Sequence, residues 1–371
     1  MIEYLEIKGF KSIKAARMNL KPLNILIGSN GSGKTNFISF FNMLNAIVNR
    51  KLQRFLMEED IDDLLYFGRK TTSELYGKVG FIKYGDNTHG NAYFFKLVQK
   101  KGNGLFIEME GSGYNVDYDN DCHNYFIDSN LEESNIPRSS TSRNKFLKEY
   151  FSSFRVFHFH DTSNTSRLRK GCDISDNLFL RSDGRNLPAM LYLLKNKHPV
   201  VFHRIEKTIQ SIAPYISHLI LEPSALNNNS IELRWVDCGD PESNFSVYQL
   251  SDGTLRFIAL ATLLMQPNPP SVIIVDEPEL GLHPFAIGKL AGMIQAASSK
   301  SQIIAATQSP GLISHFLPED IIVIDKSETE NQTVFNRLDS DSLKNWLDDY
   351  TLGELWERNI VSAAQPFKKI I

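Results

Sequence analysis

The chain has 371 residues, which at roughly 150 residues per domain implies one elaborated domain or two small ones. Its 42% apolar content supplies a core and excludes dominant disorder, and its formal net charge of −3 excludes global attraction to nucleic acid. The most apolar stretch, Ile258 to Met265, is far shorter than the ~20 residues that span a bilayer. No signal-peptide core opens the chain, and Cys122, Cys172 and Cys238 form no Cys-x-x-Cys pair. A cytoplasmic protein with no membrane segment is therefore expected.

From the first residue, Ile2 to Ile7 alternate as a strand, with a turn expected at Gly9 and a second run through Ile13. Leu23 to Ile27 is a short apolar run ending in Gly28, the pattern of a buried strand entering a loop. Phe37, Phe40, Phe41, Leu44, Ile47 and Val48 then recur at helical spacing. Between residues 71 and 128, alternating stretches separated by Gly and Asn predict a small antiparallel sheet. Helical periodicity returns from Gly184 to Ala213. Thereafter helix and strand alternate: helix at Gly253–Met265, strand at Val272–Val275, helix at Phe285–Ala297, strands at Ile303–Ala306 and Ile321–Ile324. Such alternation predicts an α/β fold with a mainly parallel sheet.

Charge is uneven in the middle. Residues 106–135 hold eight acids and no Lys or Arg, whereas residues 136–170 hold eight bases against Glu149 and Asp161. The switch reads as two solvated loops that attract each other or as a surface facing a partner, DNA included. Pro137 to Ser142 is the candidate linker within it.

Three motifs carry chemistry. Gly28-Ser29-Asn30-Gly31-Ser32-Gly33-Lys34-Thr35 fits G-x-x-x-x-G-K-[ST] between a strand and a helix. Glycines let successive N–H groups face a phosphate, and the helix N-terminus adds its dipole. Lys34 suits β- and γ-phosphate charge, and the Thr35 hydroxyl suits Mg²⁺. Val272 to Val275 end in Asp276 and Glu277, which places two carboxylates at the carboxyl edge of a strand, where ligands bind in α/β sheets. Asp276 suits a Mg²⁺ role and Glu277 the base that activates water. Leu250-Ser251-Asp252-Gly253-Thr254 opens a helix with Ser251 as its N-cap, an anion site by the same logic. Two weaker signals read more plainly. Asp117, Asp119 and Asp121 start like a calcium loop but lack its Gly and Glu. His158 and His160 flank Phe159 on an expected strand and read first as a surface or core pair, with a role near the nucleotide as the alternative.

Together these motifs resemble the ABC-type ATPase heads of the RecF, RecN and SMC kind, and more closely the compact bacterial ATPases of that clan. Leu5 to Ser12 is similar to their first strand, Leu26 to Asn36 to the Walker A loop, and Leu250 to Arg256 to the signature. Asp276 to Pro284 is similar to Walker B with the D-loop, Ala306 to Pro310 to the switch loop, and Asp349 to Trp356 to the tail of the compact group. The resemblance implies one split ATPase core, 1–50 and 184–371, with 51–183 as an inserted antiparallel β and helical, charged region. It implies ATP and Mg²⁺ as cofactors, with Asn30, Gly31, Gly33, Lys34, Thr35 and Asn36 on the nucleotide, and Thr35 and Asp276 on the metal. Glu277 and Gln308 would be catalytic, and Ser251, Asp252 and Gly253 would cap the nucleotide of a second copy. Asp252 replaces the usual first signature glycine, and Gln308 stands in place of the switch histidine, which implies slow hydrolysis because glutamine cannot become cationic. No glutamine marks the Q-loop near Phe157 to Thr162. The chain carries no visible effector of its own. A switch controlling a separate nuclease or toxin, as in anti-phage defence, is the leading expectation. A DNA-repair ATPase using 136–170 and an ATP-dependent scaffold with little turnover are the alternatives.

Overall fold

The computed structural model describes residues 1–83, 90–100, 104–115, 123–327 and 329–362. Asp117, Asp119, Asp121 and Cys122, and with them the calcium-loop reading, lie outside the described residues. Two compact units form, one from Met1–Phe154 and Leu317–Ile371, the other from Arg155–Phe316. These units are defined by packing, and their boundaries differ from the 50/51 and 183/184 divisions suggested by resemblance.

The first unit contains a six-stranded antiparallel sheet built from Ile2–Phe10, Ile13–Asn19, Glu74–Phe81, Gly90–Lys100, Gly104–Asn115 and His123–Leu131. The expected antiparallel subdomain is therefore present and also includes the first two strands. Their reversal falls at Lys11-Ser12, with Lys11 at φ 47°, and not at Gly9. Gly9 lies within the strand at φ 74°, where a Cβ would sit 2.4 Å from the Glu74 carbonyl oxygen. The same unit pairs Leu23–Ile27 in parallel with Ile321–Ser327, which pairs antiparallel with Gln332–Arg337. The helix Lys34–Val48 is held by its aromatic face. Phe37 packs on Phe335, Phe40 between Phe10 and Phe95, and Phe41 on Phe154. Burying three such rings contributes on the order of 2 kcal/mol each, so the start of this helix is firmly placed.

Two acids of the charged middle, Glu110 and Glu133, are engaged within this unit. Buried Glu110 accepts from the Tyr93 hydroxyl (2.8 Å), the Ser134 hydroxyl (2.6 Å) and the Asn135 N–H (3.0 Å). Glu133 accepts from the N–H groups of Leu52 and Gln53 at the start of the Leu52–Glu58 helix. Pro137 to Ser142, the candidate linker, joins a 3₁₀ turn to a helix. Ile136–Arg138 form a 3₁₀ turn around buried Ile136, and Thr141 caps the helix Ser142–Ser152.

In the second unit, the strand Val272–Asp276, buried through Val275, lies between two parallel neighbours, Arg155–Phe157 and Gln302–Thr307. The helix Asp252–Met265 packs against Pro284–Ala297 and Pro199–Ile212. Helical periodicity over 184–213 resolves into two helices, Leu187–Lys197 and Pro199–Ile212. The break falls at His198, since a residue before proline is driven out of the helical region. Five short strands between Ile216 and Ser246 were not legible in the sequence. Polar runs such as Asn227-Asn228-Asn229-Ser230 carry no strand signal of their own.

Candidate nucleotide and metal site

In the first unit, the phosphate loop has the shape its glycines require. A Cβ on Gly28 would lie 2.3 Å from the Ile324 carbonyl oxygen, and one on Gly33 (φ 114°) would lie 2.4 Å from the Thr333 hydroxyl. Gly31 also has positive φ but faces open space. The Lys34 ammonium is 6% exposed and donates to the loop's own carbonyls, Gly28 at 2.6 Å and Ser29 at 3.1 Å. Gly33 supplies no side-chain cap to the helix. The concave main chain, the buried cation and the side-chain-free helix start together fit a phosphate group. Asn30, Gly31 and Thr35 are exposed. Asn36 is engaged within the unit, its amide donating to the Ser12 hydroxyl at 2.7 Å, which also meets Thr333 at 2.7 Å. Ser12 and Thr333 were not singled out from sequence. Thr333 reaches the loop's Ser32 carbonyl from 301 residues away, a separation no local pattern can announce. A cavity of about 280 Å³ opens beside Ser29, lined also by Asp325, Trp356 and Asn359. Gly33→Ala is expected to cost about 1–3 kcal/mol from backbone strain alone, read as a lower melting temperature with MgATP binding also impaired.

In the second unit, the strand end brings together the two residues expected to be catalytic. Glu277 follows Asp276 with φ 41°, a left-handed conformation costly for a non-glycine residue. Its N–H is fixed by the Ala306 carbonyl at 2.8 Å. The Gln308 amide donates to Glu277 Oε1 at 2.8 Å, so glutamine holds the carboxylate without adding charge. Behind them Glu279 is buried and accepts from the Thr307 hydroxyl. Burial raises its carboxyl above the usual range, against the opposing Thr307 bond.

Ser251 caps the helix Asp252–Met265 as expected, its hydroxyl accepting from the Thr254 N–H at 3.1 Å. Gly253 has no room for a side chain, because a Cβ would lie 2.4 Å from the Gly281 carbonyl oxygen. Asp252 is anchored by Arg169, whose side chain is only 4% exposed against 65% for Asp252. Besides that 2.7 Å bond, Arg169 donates to the carbonyls of Thr162 (2.7 Å), Val247 (2.7 Å) and Leu250 (3.2 Å). This arginine belongs to the basic stretch read as a possible DNA contact; burial removes it from that role. Arg169→Ala would leave several carbonyls without their donor. We expect a loss of about 3–5 kcal/mol, measured by denaturant unfolding.

Arg256, one turn into the same helix, donates to the carbonyls of Phe159 (2.8 Å) and His160 (2.9 Å). Desolvation lowers its pKa from the usual arginine value. The clamp fixes the extended segment after Arg155–Phe157. His158 and His160 lie beside Asp276, one potential ligand atom from each falling within 4.8 Å of the others. Desolvation holds the His158 imidazole below its usual pKa, with Asp276 raising it and His160 lowering it.

No curated protein matches the chain. Among solved structures, it is similar to an Smc head bound to the C-winged helix domain of ScpA. Identity is 18%, with 92% of this chain and 98% of that chain covered and a TM-score of 0.57. It is also similar to an Smc head domain with an extended coiled coil bound to the C-terminal domain of ScpA, derived from Pyrococcus furiosus. Here identity is 15%, coverage 94% and 98%, and the TM-score 0.55. At these identities the likeness establishes the fold alone, that of an Smc head domain. Among the described residues no helix is long and apolar enough to cross a membrane. Residues 23–314, which contain the phosphate loop, the capped Ser251 helix and the Asp276-Glu277 strand end, match one family throughout, and the chain belongs to it: the family described as "AAA domain, putative AbiEii toxin, Type IV TA system".

Proposed function

We propose that this chain is a Mg²⁺-dependent switch that binds ATP and hydrolyses it slowly. The observation that carries the reading is the phosphate loop, with Lys34 buried among carbonyls that a phosphate can replace as its partner. Lys34 and the loop N–H groups would hold the phosphates, with Asn30, Gly31 and Gly33 shaping the loop. Thr35 and Asp276 would hold the metal, which when bound neutralises phosphate charge. Glu277 would take the proton of the attacking water, and Gln308 keeps that carboxylate aimed. Gly28 and Gly33 fit this assignment by leaving no space for side chains. Titration calorimetry with MgATP, followed by phosphate release, tests it; no binding by the wild type overturns it.

The ATPase core would comprise 1–50 and 184–371, with 51–183 inserted. In the same reading, Ser251, Asp252 and Gly253 of one copy cap the nucleotide of another, making a head-to-tail dimer. Exposure of Ser251 at a helix start supports this. The dimer would control a separate effector such as a nuclease or toxin in the cytoplasm, in keeping with the toxin–antitoxin wording of the family description and with anti-phage defence.

A DNA-binding reading keeps one favourable observation: Arg138, Lys145 and Lys148 are exposed near and along the helix Ser142–Ser152. If they contact phosphates, log affinity should fall with log salt at about −0.9 per contact. No binding at low salt removes this reading.

Gln308→His is expected to raise turnover on the order of tenfold, equivalent to about 1.4 kcal/mol of transition-state stabilisation. It should add a pH dependence centred near 6.5, the ordinary histidine value. Steady-state rates of both proteins across that range check it.

A further inference from the structure

We infer that His158, His160 and Asp276 form a binding site for a divalent transition-metal ion, with Mn²⁺ as the probe of choice. The inference deepens the nucleotide-site reading, on which it rests only in that Asp276 serves both. Two imidazole nitrogens and one carboxylate oxygen lie within 4.8 Å of one another. Ligands about 2.1 Å from a common ion stand at most roughly 4.2 Å apart, so small ring rotations close the set. His158 is exposed enough to make that movement.

The backbone is prepared for it. His158 and His160 flank Phe159 just beyond the strand Arg155–Phe157; the two ring centroids are 6.2 Å apart and their planes 35° from parallel. Arg256 grips the Phe159 and His160 carbonyls, and the His158 N–H donates to Ser182 at 2.9 Å. Main-chain atoms on both sides of the pair are thus fixed. Asp276 is fixed independently by the buried strand that ends with it.

The donor chemistry selects the ion. Two histidines and one carboxylate suit Mn²⁺, Fe²⁺, Co²⁺ or Zn²⁺, whereas Mg²⁺ prefers oxygen and retains its water.

The test uses the full chain without nucleotide. Mn²⁺ is titrated by electron paramagnetic resonance, and the bound ion is examined by electron spin echo spectroscopy for ¹⁴N coupling. We expect one site with ¹⁴N modulation, little displacement by equimolar Mg²⁺, and at least tenfold weaker binding in both His158→Gln and His160→Gln. Bound Mn²⁺ without ¹⁴N coupling, no binding, or unchanged affinity in folded variants overturns the site. The wild-type coupling decides the matter even where a variant fails to fold. Failure of ATP binding would instead overturn the phosphate-loop reading and leave the ¹⁴N signal untouched.

Discussion

Lys34→Ala is expected to abolish tight MgATP binding, the largest single effect available in the first unit. The lysine ammonium is a point charge that phosphate oxygens meet directly, and charge-assisted bonds of this kind are about twice as strong as neutral ones. Its burial sharpens the effect. At 6% exposure, with both mapped hydrogen bonds directed to loop carbonyls, the ammonium is already desolvated, so binding phosphate carries little further cost in water removed. Alanine leaves the glycine geometry in place, since Gly28 and Gly33 are shaped by Ile324 and Thr333. The variant should still fold, with a somewhat lower melting temperature because the Gly28 and Ser29 carbonyls lose their donor, while titration calorimetry shows no heat of binding. An unchanged affinity would remove the phosphate loop from the nucleotide site.

Glu277→Gln is expected to retain nucleotide binding and to lose hydrolysis by about 10²–10⁴-fold, the usual contribution of a positioned general base. Glutamine is isosteric, and the Gln308 amide that now donates to Oε1 can donate equally to an amide oxygen. Geometry is preserved while the proton acceptor is lost. In the dimer reading this variant accumulates the ATP-bound dimer, and Ser251→Arg in the same chain prevents it. Single-turnover rates and light scattering with ATP and ADP measure both. Wild-type hydrolysis in Glu277→Gln would remove that carboxylate from the reaction.

What could be read in advance follows a physical divide. Leu23 to Gly28 and Val272 to Glu277 were legible because a buried strand running into a loop leaves an apolar run and an abrupt change of residue type. Ser251 was legible because capping is local: the accepting hydroxyl and the donating Thr254 N–H lie three residues apart. The clamps were not legible. Arg169 reaches Val247, Leu250 and Asp252, and Arg256 reaches Phe159 and His160, over separations of about 80 to 100 residues. In the sequence, Arg169 is one more cation in a basic stretch. The histidines illustrate the same divide. Their alternation was visible, but their approach to Asp276 depends on two parallel strands lying side by side.

The two arginines also bear on how this corner of the molecule can diverge. Apart from Asp252, the partners mapped for them are main-chain carbonyls, and every residue type carries one. Side chains at Phe159, Thr162, Val247 and Leu250 are therefore free to drift, within the limits of their own packing, without loosening the clamp. Arginine is not free to drift. Lysine cannot reproduce a planar fork that serves several acceptors at once, so the expected signature in distant relatives is two fixed arginines surrounded by neighbours that change. The information that builds this corner resides in the donors and is almost absent from the residues they hold.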